Sequence, residues 1–325
     1  MPIEICYYKS MRHKTNVLVT GGGGFIGSHL IAQLLQKRLR VYSYDNYVST
    51  NGALLPERNH KGARYLEGDI RDVPFLSRTI KRIRPKFIFH TAALARIQPS
   101  IKNPTEYLEV NSRGTLNILL AARGAGVRRV VYSASSSAYG DNPIPLHENQ
   151  TPRPLNPYAK TKLDGEQWMK IFAELYGVET VSLRYFNVYG LGNIYNGPYT
   201  TVITLFLHHF ARGKPMEIIG DGKQTRDYTH VFDVARANIL AAMSNKVGRG
   251  EVINIGCGDP HSVNEIAERI GGATLEQLRK EKKAIFIPAR PGESRHTKAN
   301  ITKAKRLLGW TPRISFADGI AKLKR

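Results

Sequence analysis

Residues 16–30 read NVLVTGGGGFIGSHL, and the fold turns on how that run is taken. The apolar NVLVT (16–20) reads as a short strand, GGGGFIG (21–27) follows at once, and SHLIAQLLQKR (28–38) has the period of an amphipathic helix. VYSYD (41–45) reads as a second strand. Strand, glycine turn, helix, strand is a βαβ unit, which requires its two strands to be parallel. Gly22, Gly24 and Gly27 satisfy G-x-G-x-x-G, and Gly21, Gly24 and Gly27 satisfy G-x-x-G-x-x-G, because four glycines stand in a row. Alone the pattern is weak. Between a strand and a helix it is the setting in which backbone amides and a helix N-terminus hold a pyrophosphate. Asp45 ends the second strand 18 residues beyond Gly27, where an acid accepts both ribose hydroxyls of NAD and repels a 2′-phosphate. NAD is therefore expected over NADP.

The same rhythm continues outward. ARYLEGD (63–69) and KFIFHTAA (86–93) read as strands around the helix VPFLSRTIKRI (73–83). A long helix spans roughly 104–123, and RVVYSASS (129–136) is the next strand. A loop with five prolines (137–157) leads into the helix PYAKTKLDGEQWMKIFAELYG (157–177), which ends on a glycine, and ETVSLRYFNVYG (179–190) carries a further strand. Strands alternating with helices indicate an α/β, doubly wound sheet. After about residue 187 the alternation breaks, and INIGCG (253–258) reads as one more sheet strand. The expected division is a dinucleotide-binding domain over 15–186 plus about 228–258. A smaller, interrupted α/β substrate-binding lobe, over 187–227 plus 259–325, is expected to pack on the C-terminal edge of the sheet.

The 325 residues are 42% hydrophobic and 23% charged, enough to bury a sizeable core. No apolar run approaches the roughly 18 residues a bilayer requires, so no membrane partner is expected. Residues 1–15 lack the apolar stretch of a secretion signal and read as an extension before the first strand, with Met1 or Met11 as the start. Cys6 and Cys257 are the only cysteines, which fits a cytoplasmic protein without disulfides. Adjacent His208 and His209 point to different sides of a helix, so no metal site is expected. The formal charge of +22, from 48 basic and 26 acidic residues, favours anionic partners without choosing among them.

NPYAKTK (156–162) sets Tyr158 and Lys162 one helical turn apart, so their head groups share a face. Alone, Y-x-x-x-K is an ordinary amphipathic pattern. Here it stands in order with TGGGGFIGSHL, GDIRD, SSSAYG, LRYFNVYG, GDGKQTRDYTHV and RPGESRHTKA. Together these resemble the extended short-chain dehydrogenase/reductase family, specifically its nucleotide-sugar epimerases and dehydratases, from about Asn16 to about Gly319. The resemblance implies a Rossmann-like fold and bound NAD. It makes Tyr158 the catalytic acid/base and Lys162 the group that bonds the nicotinamide ribose. A nearby ammonium and a positive nicotinamide ring favour phenolate, in keeping with that role. Ser135 matches the serine that hydrogen-bonds the substrate hydroxyl, with Ser136 the next candidate.

By the same resemblance Gly21, Gly24, Phe25, Ile26 and Gly27 surround the pyrophosphate, with Asp45 and Asn46 at the adenosine ribose. Asp69 and Ile70 border the adenine, Ala92 and Ala93 line the cofactor, and Asn111 supports the site from the long helix. Tyr185 and Asn187 lie where nicotinamide meets substrate. Arg226 and Arg290 grip the nucleotide diphosphate, as guanidinium forks do, and Glu293 contacts the uridine ribose. ALARIQPS (93–100) departs from the family with Arg96 and Pro99, while Ser100 remains a sugar contact.

The family shares oxidation at the sugar C4 and then diverges. Dehydratases place an Asp-Glu pair after the catalytic hydroxyl, and decarboxylating members a nearby Glu; here Ser136, Ser137 and Ala138 follow Ser135. Oxidation followed only by return of the hydride after rotation of the keto sugar gives C4 inversion, hence a UDP-sugar 4-epimerase. Thr297 falls at the gate position, where a small residue admits 2-acetamido sugars. UDP-glucuronate epimerisation and simple nucleotide-sugar reduction stay open. A further alternative is an RNA-binding descendant of the fold, against which the intact Ser135, Tyr158 and Lys162 count. The helices at about 104–123 and 158–175 are expected to pair across a homodimer through Leu116, Ile118, Leu119, Trp168, Ile171 and Phe172.

Overall fold

The computed structural model describes residues 15–50, 52–193 and 201–324; the readings of Met1, Met11 and Cys6 fall outside them. The opening run folds as a βαβ unit. Strand β1 (Asn16–Thr20) pairs in parallel with β2 (Arg40–Asp45), from Asn16 opposite Arg40 to Thr20 opposite Tyr44, with helix α1 (Phe25–Gln36) between them. The helix begins three residues earlier than its periodicity suggested. The Gly24 amide bonds to Gly21 O at 3.0 Å, so the glycine run itself makes the turn and the helix starts on Phe25.

The repeat continues through β3 (Arg64–Glu67), α2 (Val73–Ile83), β4 (Phe87–His90), α3 (Ile97–Lys102), the long helix α4, β5 (Arg129–Ser135), α5 (Pro157–Tyr176) and β6 (Glu179–Tyr185). Helix α4 runs as Pro104–Tyr107, a π turn over Leu108–Arg113, then Gly114–Gly124. Helix α3 escaped the sequence reading because Pro99 reads as a breaker, yet it occupies the first turn, where no intrahelical amide bond is lost. With β11 (Arg249–Ile255) the sheet has seven strands in the order β11-β6-β5-β4-β1-β2-β3, and every pairing is parallel. Parallel strands buried on both faces divide their side chains with period two. Val17, Val19, Phe87, Phe89, Val181 and Leu183 enter one core, while Leu18, Ile88, Val130 and Tyr132 enter the other. The order reverses between β1 and β4, which opens a crevice at the carboxyl ends of those strands.

Among the described residues the second lobe contains three two-stranded pairings. β7 (Val188–Tyr189) lies parallel to β10 (Thr229–His230), β8 (Met216–Ile219) parallel to β13 (Ala284–Ile287), and β9 (Thr225–Asp227) antiparallel to β12 (Pro260–Ser262). Around Phe206 of α6 (Val202–Ala211), Ile266 and Ile270 of α8 (Val263–Gly271), Met216 and Ile218 it builds its own core. Helix α7 (Val231–Met243) packs with α1 against the sheet. So does a segment expected in the smaller lobe. Ala304, Leu308 and Trp310 belong to the core of the first lobe, because Trp310 is fully buried there with its indole N–H on Asp233 O at 3.0 Å. Among the described residues no helix is long and apolar enough to cross a membrane.

Candidate active site

The crevice is floored by glycine for steric reasons. A Cβ on Gly21 would lie 2.6 Å from Ala92 N, and one on Gly27 would lie 2.1 Å from Gly21 O, so β1, β4 and the start of α1 approach closely only as built. Gly21 also needs its left-handed φ of 71°. Gly24, the N-cap of α1, offers no side-chain cap, which leaves the first-turn amides for an anion. Asp45, expected at the ribose, is buried and fixed by two amides: Gly23 N on Oδ2 at 2.8 Å and Tyr47 N on Oδ1 at 2.7 Å. Burial pushes its pKa up against these bonds; the carboxylate retains lone pairs for ribose hydroxyls. Asn46 donates to Asp69 Oδ2 at 2.9 Å. Asp69 is gripped by Arg71 through Nε at 2.9 Å and a second guanidinium nitrogen at 2.7 Å, and that grip holds its carboxyl down at about 2. Ile70 is buried against Gly114. An uncapped helix start, an acid beside it and a crevice too close for side chains fit a dinucleotide.

At the carboxyl end of β4 a buried hydrogen-bond relay runs through His90. Thr115 Oγ1 donates to Asn111 O at 2.5 Å, so it accepts from His90 Nε2 at 3.0 Å, and His90 Nδ1 accepts from Thr20 Oγ1 at 2.8 Å. That tautomer follows from the bonds. Burial, with the Lys162 charge as the smaller cause, pushes the His90 pKa down to about 3. Asn111 does not reach the cofactor crevice through its side chain, which is committed elsewhere. Its amide exchanges bonds with Leu94 (2.8 and 2.9 Å) and donates to Thr161 Oγ1 at 3.1 Å, tying the segment after Ala92 and Ala93 to the helix of Tyr158. The π turn around Asn111, a feature frequent at functional sites, aims it there.

Ser135 and Tyr158 come together, with Lys162 one turn further along α5. Asn156 caps α5 by accepting from Ala159 N at 2.8 Å, which places Tyr158 in the first turn. Burial raises the Tyr158 pKa, opposed by a hydrogen bond with Ser135 and by the Arg96 guanidinium. Ser135 Oγ accepts from Ser137 N at 3.2 Å and from Ser137 Oγ at 2.8 Å, so its own proton is the one available to the Tyr158 oxygen. Ser136 has no such bond to Tyr158, which favours Ser135; the supporting role of Ser137 was not anticipated. Lys162 is 4% exposed, with Nζ 4.7 Å from the Tyr132 ring centre. Burial pulls its pKa down to about 7, against the nearby Glu166 charge. Glu166 is held by Arg184 in a two-bond fork at 2.9 and 2.7 Å, both residues 3% exposed.

Ser100 is a correction. It is fully buried, donating to Ile97 O at 2.7 Å and accepting from Tyr158 N at 3.1 Å, so its hydroxyl is spent inside the protein on the first turn of α5. Tyr185 is turned inward too: its hydroxyl bonds Ser133 Oγ at 3.0 Å and Asn238 Oδ1 at 2.9 Å. Asn187 lies at the junction of the lobes, its side chain 3.4 Å from Asp227 O. Arg226 approaches Glu293 at 3.6 Å and bonds Arg295 O at 2.9 Å, while Arg290 is exposed on the same loop. That loop docks on α3 through Gln98 to Pro291 O (3.0 Å) and on the start of α5 through Asn156 to Gly292 O (2.9 Å). Thr297 is buried, and its hydroxyl accepts from Asp227 N at 3.1 Å.

A doubly wound sheet with a glycine-lined first turn, an acid after β2 and Ser135, Tyr158 and Lys162 beside the switch point defines a dinucleotide-dependent dehydrogenase/reductase site of the short-chain type. Comparison with known proteins narrows this. The NAD dependent epimerase/dehydratase family matches residues 17–256. A putative UDP-glucose 4-epimerase of Methanocaldococcus jannaschii is 35% identical, covering 94% of this chain and 96% of the relative. The crystal structure of a UDP-glucose 4-epimerase of Thermotoga maritima with UDP-glucose superposes with a TM-score of 0.86 at 34% identity, covering 94% and 96% of the two chains. A UDP-N-acetylglucosamine 4-epimerase of Methanobrevibacter ruminantium M1, in complex with UDP-N-acetylmuramic acid, gives 0.84 at 33% identity over the same shares. The chain belongs to the NAD-dependent epimerase/dehydratase family, and its cofactor is NAD.

Proposed function

We propose that this protein is a UDP-sugar 4-epimerase that inverts C4 of UDP-glucose and UDP-galactose, and of their 2-acetamido counterparts. The observation that carries the reading is the Ser135–Tyr158 hydrogen bond beside buried Lys162, with no acid at 136–138. Gly21 and the first turn of α1 hold the pyrophosphate, Asp45 the adenosine ribose and Lys162 the nicotinamide ribose. Bound NAD supplies a reversible hydride acceptor at C4. Ser135 and Tyr158 clasp the C4 oxygen, and Tyr158 takes its proton and gives it back. Residues 136–138 offer no second acid or base, so elimination of water has no partner and inversion is the outcome. Arg226, Arg290 and Glu293 hold the nucleotide from the second lobe, which lets the sugar turn while the diphosphate stays fixed.

A scan of UDP-sugars with separation of products tests this: C4 epimers of UDP-glucose or UDP-N-acetylglucosamine are expected. A reduced or dehydrated product would overturn it. One observation favours UDP-glucuronate as a further substrate. Arg96, held at a left-handed φ of 91°, bears its charge on Tyr158, where a C6 carboxylate would find a partner.

The assembly we infer is a homodimer through the outer faces of α4 and α5. The residues expected there divide. Ile118, Leu119 and Phe172 are spent on the sheet, whereas Leu120, Ile171, Leu175 and Tyr176 are exposed. A doubled mass in solution, reduced to one chain by Leu120→Glu with Leu175→Glu, is the expected result.

A further inference from the structure

Arg58 lies in no motif, yet it is one of the most buried cations in the molecule, 3% exposed. It ends a short 3-10 turn (Pro56–Arg58) in the excursion between β2 and β3. Its backbone is fixed on both sides: Arg58 N bonds Leu55 O at 2.9 Å, and Tyr65 Oη donates to Arg58 O at 2.8 Å. One terminal guanidinium nitrogen donates to Gly23 O at 2.7 Å, inside the glycine-rich turn. The other donates to Gly192 O at 2.7 Å, 134 residues along the chain, in the turn that leaves β7 for the second lobe. Among the described residues no carboxylate bonds it directly. Asp45, whose oxygens hold Gly23 N and Tyr47 N, and Glu57 act only through their fields. Its Nε–H is buried without a partner among the described residues.

A guanidinium keeps its charge even when burial opposes it, so one full positive charge lies against the turn that cradles the pyrophosphate. It also ties that turn to the turn that leaves β7. The turn after β7 is held to α1 a second time, by His29 Nε2 on Leu191 O at 2.9 Å. Burial lowers the His29 pKa, so the ring is neutral at neutral pH and carries its proton on Nε2 to meet the carbonyl.

We propose that Arg58 is a cofactor-retention residue: it clasps the glycine-rich turn to the Gly190–Asn193 turn and slows the escape of NAD. The inference deepens the NAD assignment and does not depend on which sugar is epimerised. It acts through the two turns, so it is a positioning residue.

The test measures NAD release from protein purified with NAD bound, after dilution into an excess of an NAD-consuming trap enzyme. Arg58→Gln is expected to speed release on the order of 10-fold, since a charge-assisted clasp becomes at best a neutral bond to one carbonyl. Arg58→Lys, which keeps the charge but spans one carbonyl, should fall between. His29→Ala, which loosens the same turn from α1 at an exposed bond, should speed release by a smaller factor. If Arg58→Gln folds poorly, Arg58→Lys and His29→Ala still decide the matter. Release within two-fold of the parent in both of them, whatever the thermal midpoint of the NAD-free proteins, would overturn the proposal. A parent protein that holds no NAD would instead refute the cofactor assignment.

Discussion

The two sides of the crevice are built differently. On the sheet side almost every functional group has its bonds made before any ligand is considered: Asp45 carries two amides, Ser135 two donors from Ser137, and Glu166 the fork from Arg184. On the lobe side, Arg290 and Glu293 stand exposed on a loop tied down by Gln98 and Asn156, and Arg226 reaches Glu293 only at 3.6 Å. The difference teaches where rigidity is needed. Proton transfer tolerates little misplacement, whereas a nucleotide can be gripped by groups that settle as it binds. Substitutions on the sheet side should therefore change turnover or cofactor binding, and substitutions on the lobe side should change the choice of substrate.

The sharpest trial is Tyr158→Phe. Only the titratable hydroxyl is removed, so the protein should fold and keep its NAD while epimerisation falls by roughly 100-fold or more. Near-normal turnover would remove the sheet side from the chemistry altogether.

Asp45→Ala comes next. It takes away a ribose partner and also releases Gly23 N and Tyr47 N, so NAD affinity should drop on the order of 10-fold, with a smaller preference over NADP. Equal affinity of the unaltered protein for both dinucleotides would break the comparison at its base.

The lobe side is probed through Thr297→Tyr. The ratio of kcat/KM for UDP-N-acetylglucosamine to that for UDP-glucose should fall several-fold, because a ring would occupy the room an N-acetyl group needs. Thr297 is packed, and added volume in a packed site costs about 1–3 kcal/mol of stability. Thr297→Ser, which keeps the hydroxyl on Asp227 N, is therefore the control. An unchanged ratio would move sugar selection elsewhere.

The mildest effect concerns Lys162 in the NAD-free protein. Its folded pKa of about 7 lies below the unfolded value near 10.4, so the unfolded chain binds more protons between those limits. Stability should therefore rise with pH across that window, and the full penalty should stand below about pH 7. Lys162→Met should melt a few degrees above the parent at pH 7, with the gap closing toward pH 10. A gap that does not change with pH would mean that the ammonium is not destabilised by burial.

Legibility in the sequence followed the same divide. The glycine turn was readable because backbone geometry dictates residue type at fixed spacing, whereas Tyr158 with Lys162 stood out only through the resemblance. Ser100 was misread as a sugar contact because no pattern tells a hydroxyl facing a ligand from one capping a neighbouring helix. Arg58 and the π turn at Asn111 were invisible for a related reason: their partners are main-chain carbonyls and amides, which every residue carries. The outer faces of α4 and α5 were only half readable. Both helices are apolar on several sides, and only packing shows that Phe172 is spent inward while Leu175 is left outside.

Trp310 has a consequence for how the chain is made. Fully buried against the first lobe, it leads into a segment where Arg313 N and Ile314 N bond Asp233 Oδ2 at 2.9 and 3.0 Å, so the core begun by residue 17 is closed by residues more than 290 positions later. Domains usually fold in turn as they leave the ribosome. Here the first lobe must wait until residue 310 has emerged, and a nascent chain stopped before it would leave the indole's berth empty, an apolar wound in the core.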